Sequence, residues 1–124
     1  MRISELSNNI REKKTYLCPG LDTDIEKIPE FLLNFEDPVF EFNKSLIDRL
    51  HSKIIAIKIN TAFYEARGVQ GWISLEKTIE YINDKYPKLF TIADAKRADI
   101  GNTSNMYAKA FFLKMNFDSV TVSP

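Results

Sequence analysis

Apolar positions recur along the chain at two alternating periods, and the alternation predicts helix and strand in turn. Ile3, Leu6 and Ile10 fall on one side of a helix over residues 3–14. Tyr16 to Asp22 reads as a short strand closed by the Pro19-Gly20 pair. A second helix spans 38–50, with Val39, Phe42, Leu46 and Leu50 roughly in phase. The run from Ile54 to Asn60 is the clearest strand, because β-branched isoleucine suits a pleated surface. A helix over 71–84 follows, with Trp72, Leu75, Ile79 and Ile82 at helical spacing, and then a strand over 89–94. Met106, Ala110 and Leu113 share a register in a helix over 103–115, and residues 118–123 form a fourth strand.

Strands that alternate with helices through short loops imply parallel pairing by crossovers. Their mostly apolar composition fits a sheet covered on both faces. Four such units make either a small doubly wound sheet or half of a (β/α)8 barrel.

Charge interrupts these strands at informative places. Side chains alternate along a strand, so Ile55, Ile57 and Ile59 share one face while Ala56, Lys58 and Asn60 share the other. A lysine in a buried strand must be paired or near water. The third strand ends in Asp94-Ala95-Lys96-Arg97-Ala98-Asp99-Ile100-Gly101-Asn102-Thr103. Two residues apart, Asp94 and Lys96 should point the same way, about 6.7 Å apart along the strand. Gly101 permits a tight turn, and Asn102 or Thr103 can cap the next helix. The first strand also ends in an acid, Asp22. Any one of these charges could be a solvated loop residue or a cap. Together they line the C-terminal strand edge, where α/β sheets and barrels bind ligands.

Such an array suits proton delivery. Negative charge around Lys96 favours its ammonium form, and Lys58 can pair with Asp94 and hold it ionised. The result is an alternating chain of anions and cations with a general acid at its centre, able to protonate a carbanion as it forms.

Composition narrows the alternatives. The 124 residues carry 17 Lys+Arg and 17 Asp+Glu, so no basic excess advertises a nucleic-acid partner. With 44% hydrophobic and 27% charged residues the chain is far from a disordered composition. No apolar run reaches the roughly 18 residues of a membrane helix, and Met1 to Glu5 lack the apolar core of a signal peptide. One cysteine, Cys18, cannot form an internal disulfide, which fits a reducing cytoplasm. Without a histidine beside it, Cys18 reads as a small packed residue. The single histidine, His51, sits between a helix and a strand and reads as a surface residue, so a Ser-His-Asp triad has no base. There is no His/Cys metal cluster, and 4 glycines leave no Gly-rich phosphate loop. Phe111 and Phe112 read as helix-to-sheet packing.

The segment Asp94 to Thr103 resembles the DxKxxDIGNT motif of the orotidine 5′-phosphate decarboxylase family. Leu17-Cys18-Pro19-Gly20-Leu21-Asp22 resembles that family's first strand. Ile57 to Glu65, followed by Gly68 and Gly71, is similar to the second-strand segment of its longer bacterial subgroup. Ala98 departs from the subgroup's usual glycine. The resemblance runs from about residue 16 to the end and implies the N-terminal half of a (β/α)8 barrel, since a whole barrel needs about 250 residues. It further implies a cytoplasmic homodimer that converts orotidine 5′-monophosphate to uridine 5′-monophosphate and CO2 without metal or organic cofactor. Asp22 and Lys58 would contact ribose hydroxyls, Asp94 would lie beside the substrate carboxylate, and Lys96 would protonate C6 of the pyrimidine. Asp99, Ile100 and Thr103 would serve the substrate site, with Asp99 and Thr103 reaching into the neighbouring subunit. The phosphate grip would lie outside these residues, so the chain alone is expected to be inactive. Two other readings compete: a related metal-dependent sugar-phosphate decarboxylase, and a non-catalytic α/β dimerisation module.

Overall fold

The computed structural model describes residues 1–123. Helix α1 (Ile3–Lys13) leads into an extended segment and a short 3-10 turn at Glu30–Asn34, followed by α2 (Pro38–Leu50) and β1 (Ala56–Asn60). Then come a single turn α3 (Ala62–Glu65), α4 (Gly68–Lys85), β2 (Phe90–Asp94), α5 (Gly101–Ala108) and β3 (Ser119–Val120). The strands form one parallel sheet in the order β1-β2-β3, with Lys58 opposite Ile92 and Asn60 opposite Asp94. Ile57, Ile59 and Ala93 from the sheet and Leu75, Ile79 and Ile82 from α4 make the centre of the core.

The predicted strand over Tyr16–Asp22 is reduced to one bridge, Gly20 to Lys58. The segment still runs along β1: Leu21 N–H donates to the Lys58 carbonyl (2.8 Å) and Lys58 N–H to the Pro19 carbonyl (3.0 Å). The rung two residues earlier would need an N–H at position 19, which proline lacks. Its neighbour Cys18 is exposed rather than packed. The fourth strand is also shorter than expected, although Thr121 N–H continues its pairing onto the Ala93 carbonyl at 2.9 Å.

Two helical faces differ from the apolar periodicity. On α2 the buried side chains are Val39, Asn43 and Ile47, whereas Phe42, Leu46 and Leu50 are only half-buried. A polar hub turns the helix. Thr23 Oγ1 donates to Asn43 Oδ1 (2.6 Å), and Asn43 Nδ2 donates to Tyr64 OH (2.9 Å) and Thr78 Oγ1 (3.0 Å). Tyr64 OH then donates to the Leu21 carbonyl (3.0 Å), and burial pushes the phenol up to about 12. Every polar atom of the hub finds a partner, which offsets its desolvation. The hub ties the extended segment before Thr23 to α2, α3 and α4.

After α5 the chain widens into a π-helical turn, Lys109–Lys114, which shifts the phase of the residues within it. Phe111 is buried against Phe117 with ring centroids 6.2 Å apart, while Met106, Phe112 and Leu113 stay exposed. Ile3 and Trp72 likewise face solvent rather than the core. His51 ends α2 and stacks on Tyr86 at 4.4 Å between ring centroids. Gly71 is required where α4 passes α3: a Cβ there would stand 1.7 Å from the Tyr64 carbonyl oxygen. Among the described residues no helix is long and apolar enough to cross a membrane.

Tyr64→Phe removes a donor from Leu21 and an acceptor from Asn43. It should lower stability by about 1–3 kcal/mol, read by urea unfolding of the full-length protein. An unchanged midpoint would show that the hub contributes nothing.

Candidate active site

Two strands and the segment bridged to β1 bring Asp22, Lys58 and Asp94 together. Asp22 follows the Gly20 bridge, Lys58 is the third residue of β1, and Asp94 is the last residue of β2. Parallel pairing sets Lys58 opposite Ile92, two residues before Asp94, so its long side chain can reach the C-terminal edge. Lys58 Nζ lies 3.2 Å from Asp22 Oδ1 and 3.4 Å from Asp94 Oδ2. Lys96 Nζ lies 2.6 Å from Asp94 Oδ1. Gly20 leaves room for this, since a Cβ there would be 3.2 Å from Asp22 Oδ1 and 3.7 Å from Lys58 Nζ. The chain Asp22–Lys58–Asp94–Lys96 therefore alternates in charge along its length.

Asp94 is the enclosed member, its side chain 12% exposed against 59% for Lys96. Its hydrogen bond from Lys96 holds the carboxyl below its ordinary range against the opposing effect of burial, helped by Thr121 and Lys58. Burial disfavours the Lys58 charge, but Asp22 and Asp94 outweigh it and raise the ammonium's pKa. At neutral pH both groups are ionised.

Strand alternation does not bring Lys96 to Asp94. The strand stops at Asp94, and Lys96 adopts left-handed backbone with φ 50°. Thr121 meets both residues: its hydroxyl donates to Asp94 Oδ1 (2.8 Å) and accepts from Lys96 N–H (3.0 Å). Arg97 Nη2 pairs with Glu65 Oε1 at 2.6 Å, and its guanidinium lies over the Tyr107 ring at 5.7 Å. These contacts tether the loop after β2 to α3 and α5. The periodicity did not single out Thr121, Glu65 or Arg97. For Thr121 the missed signal was the one that exposed Lys58, a polar residue on an apolar strand beside its C-terminal end.

Asp99 stands apart. Its carboxylate accepts from Ile100 N–H at 2.7 Å and, among the described residues, pairs with no lysine, so Lys96 has Asp94 alone as its carboxylate partner. Helix α5 begins at Gly101, which places Asn102 and Thr103 inside its first turn instead of at the cap. Ile100 occupies the cap position with no side-chain bond, and Ser104 Oγ donates back to the Asp99 carbonyl at 2.6 Å. Ile100 is exposed and Thr103 half-buried. A cavity of about 390 Å³ beside Asp22 is lined by Gly20, Leu21, Thr23, Asp24 and Phe63 among others. Lys58, Asp94 and Lys96 lie outside its lining.

The model of the orotidine 5′-phosphate decarboxylase / HUMPS family matches residues 15–124. The chain belongs to this family. An orotidine 5′-phosphate decarboxylase of Flavobacterium johnsoniae is 61% identical over 124 residues, covering 100% of this chain and 45% of that protein. One of Christiangramia forsetii is 60% identical, again over 100% of this chain and 46% of the relative. The chain thus spans a little under half the length of these curated relatives. A crystal structure described as an orotidine-monophosphate decarboxylase from Toxoplasma gondii superposes with a TM-score of 0.85 at 32% identity, covering 96% of this chain and 40% of that one. Such decarboxylases are (β/α)8 barrels, and the α/β architecture here is that of the barrel's N-terminal half.

The lowered pKa of Asp94 fixes a direction for stability. A carboxyl depressed on folding stabilises fully above its unfolded value near 3.9 and loses that contribution as pH falls through the folded value. Asp94→Asn should therefore destabilise the family member at pH 7, with the gap to the parent narrowing below about pH 4. Unfolding curves across pH read this, and a pH-independent gap would contradict it.

Proposed function

We propose that residues 1–124 form the N-terminal half of a single decarboxylase barrel. The full-length protein carrying them would convert orotidine 5′-monophosphate to uridine 5′-monophosphate and CO2, a step of pyrimidine biosynthesis. The observation that carries this reading is the alternating Asp22–Lys58–Asp94–Lys96 chain at the C-terminal strand edge. The names of the relatives supply the substrate. Coverage of a little under half of the relatives' length supports the half-barrel, and Met106, Leu113 and Val122 are exposed, apolar, and available to a further part of the molecule.

In this reading Asp22 and Lys58 bind the ribose hydroxyls. Asp94 sits beside the substrate carboxylate, where its negative charge disfavours the bound carboxylate and favours its departure as CO2. Breaking the bond leaves an electron pair on C6. The Lys96 ammonium donates a proton to that pair, forming the C6–H bond, and regains one from solvent. The 2.6 Å contact to Asp94 orients the donor. Asp99 is exposed and makes no bond to the chain's own array, which supports its use, with Thr103, in the site of a partner in a homodimer, while Ile100 serves the substrate site. The reading places the enzyme in the cytoplasm, with no metal or organic cofactor in its chemistry. The phosphate grip belongs to the second half, so residues 1–124 alone should be inactive.

Lys96→Ala in the full-length protein should abolish uridine monophosphate formation, monitored by the change in pyrimidine absorbance, while the thermal transition is preserved. Near-parental turnover would overturn the assignment. Activity of the parent should persist after chelation; its loss, restored by a divalent cation, would favour the metal-dependent sugar-phosphate branch.

A further inference from the structure

The loop carrying Lys96 is held to the segment just after β3 by three bonds, and all of them involve the loop's backbone. Lys96 N–H donates to Thr121 Oγ1 at 3.0 Å, and Ser123 Oγ donates to the Lys96 carbonyl at 3.2 Å. Arg97 N–H donates to the Thr121 carbonyl at 3.0 Å. The restraint is needed, because left-handed backbone is unfavourable for a non-glycine residue and persists only where its surroundings fix it.

The same Thr121 hydroxyl donates its one proton to Asp94 Oδ1 at 2.8 Å, the oxygen that Lys96 Nζ also meets. Donor and acceptor capacity are thus used in opposite directions: the hydroxyl accepts from the backbone of the acid and donates to the carboxylate that aims it. A β-branched residue paired through its own backbone is well suited to this, since its χ1 is stiff.

We propose that Thr121 is a positioning residue of the site, whose hydroxyl locks the Asp94 carboxylate and the Lys96 backbone into one frame so that the Lys96 ammonium is delivered along a fixed line. The proposal rests on the decarboxylase reading for its chemistry, though its geometric part does not. Proton transfer to a carbanion is sensitive to sub-ångström placement, whereas the ribose contacts of Asp22 and Lys58 are held by their own pair at 3.2 Å and meet Thr121 only indirectly, through the far oxygen of Asp94. The effect therefore falls on kcat more than on KM.

Thr121→Val keeps the shape and removes the hydroxyl, and Thr121→Ser keeps the hydroxyl. In the full-length protein Thr121→Val should lower kcat by about 100-fold with KM little changed, and Thr121→Ser should recover most of it. The acid limb of the Thr121→Val pH–rate profile should move to higher pH, because losing a hydrogen bond to the carboxylate disfavours its ionised form. Carbon-13 NMR titration of the Asp94 carboxyl, without substrate, should show a higher midpoint in Thr121→Val and the parental midpoint in Thr121→Ser. An unchanged Asp94 midpoint in Thr121→Val overturns the proposal whether or not the parent turns over orotidine monophosphate. Equal losses in both variants, accompanied by a lowered melting temperature, would reduce Thr121 to a packing residue. A parent that fails on orotidine monophosphate while the NMR shift appears would instead remove the decarboxylase reading alone.

Discussion

Withdrawing a carboxylate from water costs several kcal/mol unless opposite charge and hydrogen bonds replace the lost hydration. Asp94 meets that condition with Lys58 on one oxygen and both Lys96 and Thr121 on the other. Each partner comes from a different strand or the loop beyond one. The carboxylate is satisfied only when β1, β2 and β3 lie parallel with their C-terminal ends level. Electrostatics at this point and the register of the sheet are therefore a single requirement.

The rest of the molecule is arranged so that the requirement can be met. The Asn43 hub holds the segment before Thr23 against α2 and α4, and that segment sets Asp22 beside Lys58. Without it a stretch with one sheet bridge would have little to fix it, because proline has removed a rung. On the opposite side, Arg97 ties the loop after β2 to Glu65 and to Tyr107. Lys96 is thus held in an unfavourable backbone conformation by contacts distributed around it. Strain of this kind is stable only in a supported setting, and it turns an exposed, flexible side chain into a directed one.

Asp22 also shows why the alternation of sign matters. Had Asp94 faced both lysines alone, three charged groups would carry a net positive charge at the strand edge. Asp22 balances Lys58, so the four-member chain is neutral and each ammonium has its own carboxylate. Lys96 is the most exposed member, at one end of the chain of charges.

The order of elements, the parallel sheet and the identities of Asp22, Lys58, Asp94 and Lys96 were legible in the sequence. Strand periodicity and the interruption of apolar runs by charge are local properties, readable within a few residues. Three things were not local. The inward face of α2 turned to present Asn43, since its three hydrogen-bond partners come from residues 20 to 35 positions away. Asp99 makes no bond to Lys96 within this chain and is exposed just before α5 starts at Gly101. The meeting of Lys96 with Asp94 came from a left-handed turn pinned by Thr121, not from strand alternation. Sequence alone determined which charged groups reach the strand edge. Only the tertiary structure decided which of them share a proton-bearing contact, because that depends on the left-handed backbone at Lys96, which Thr121 and Ser123 hold from 25 and 27 residues away.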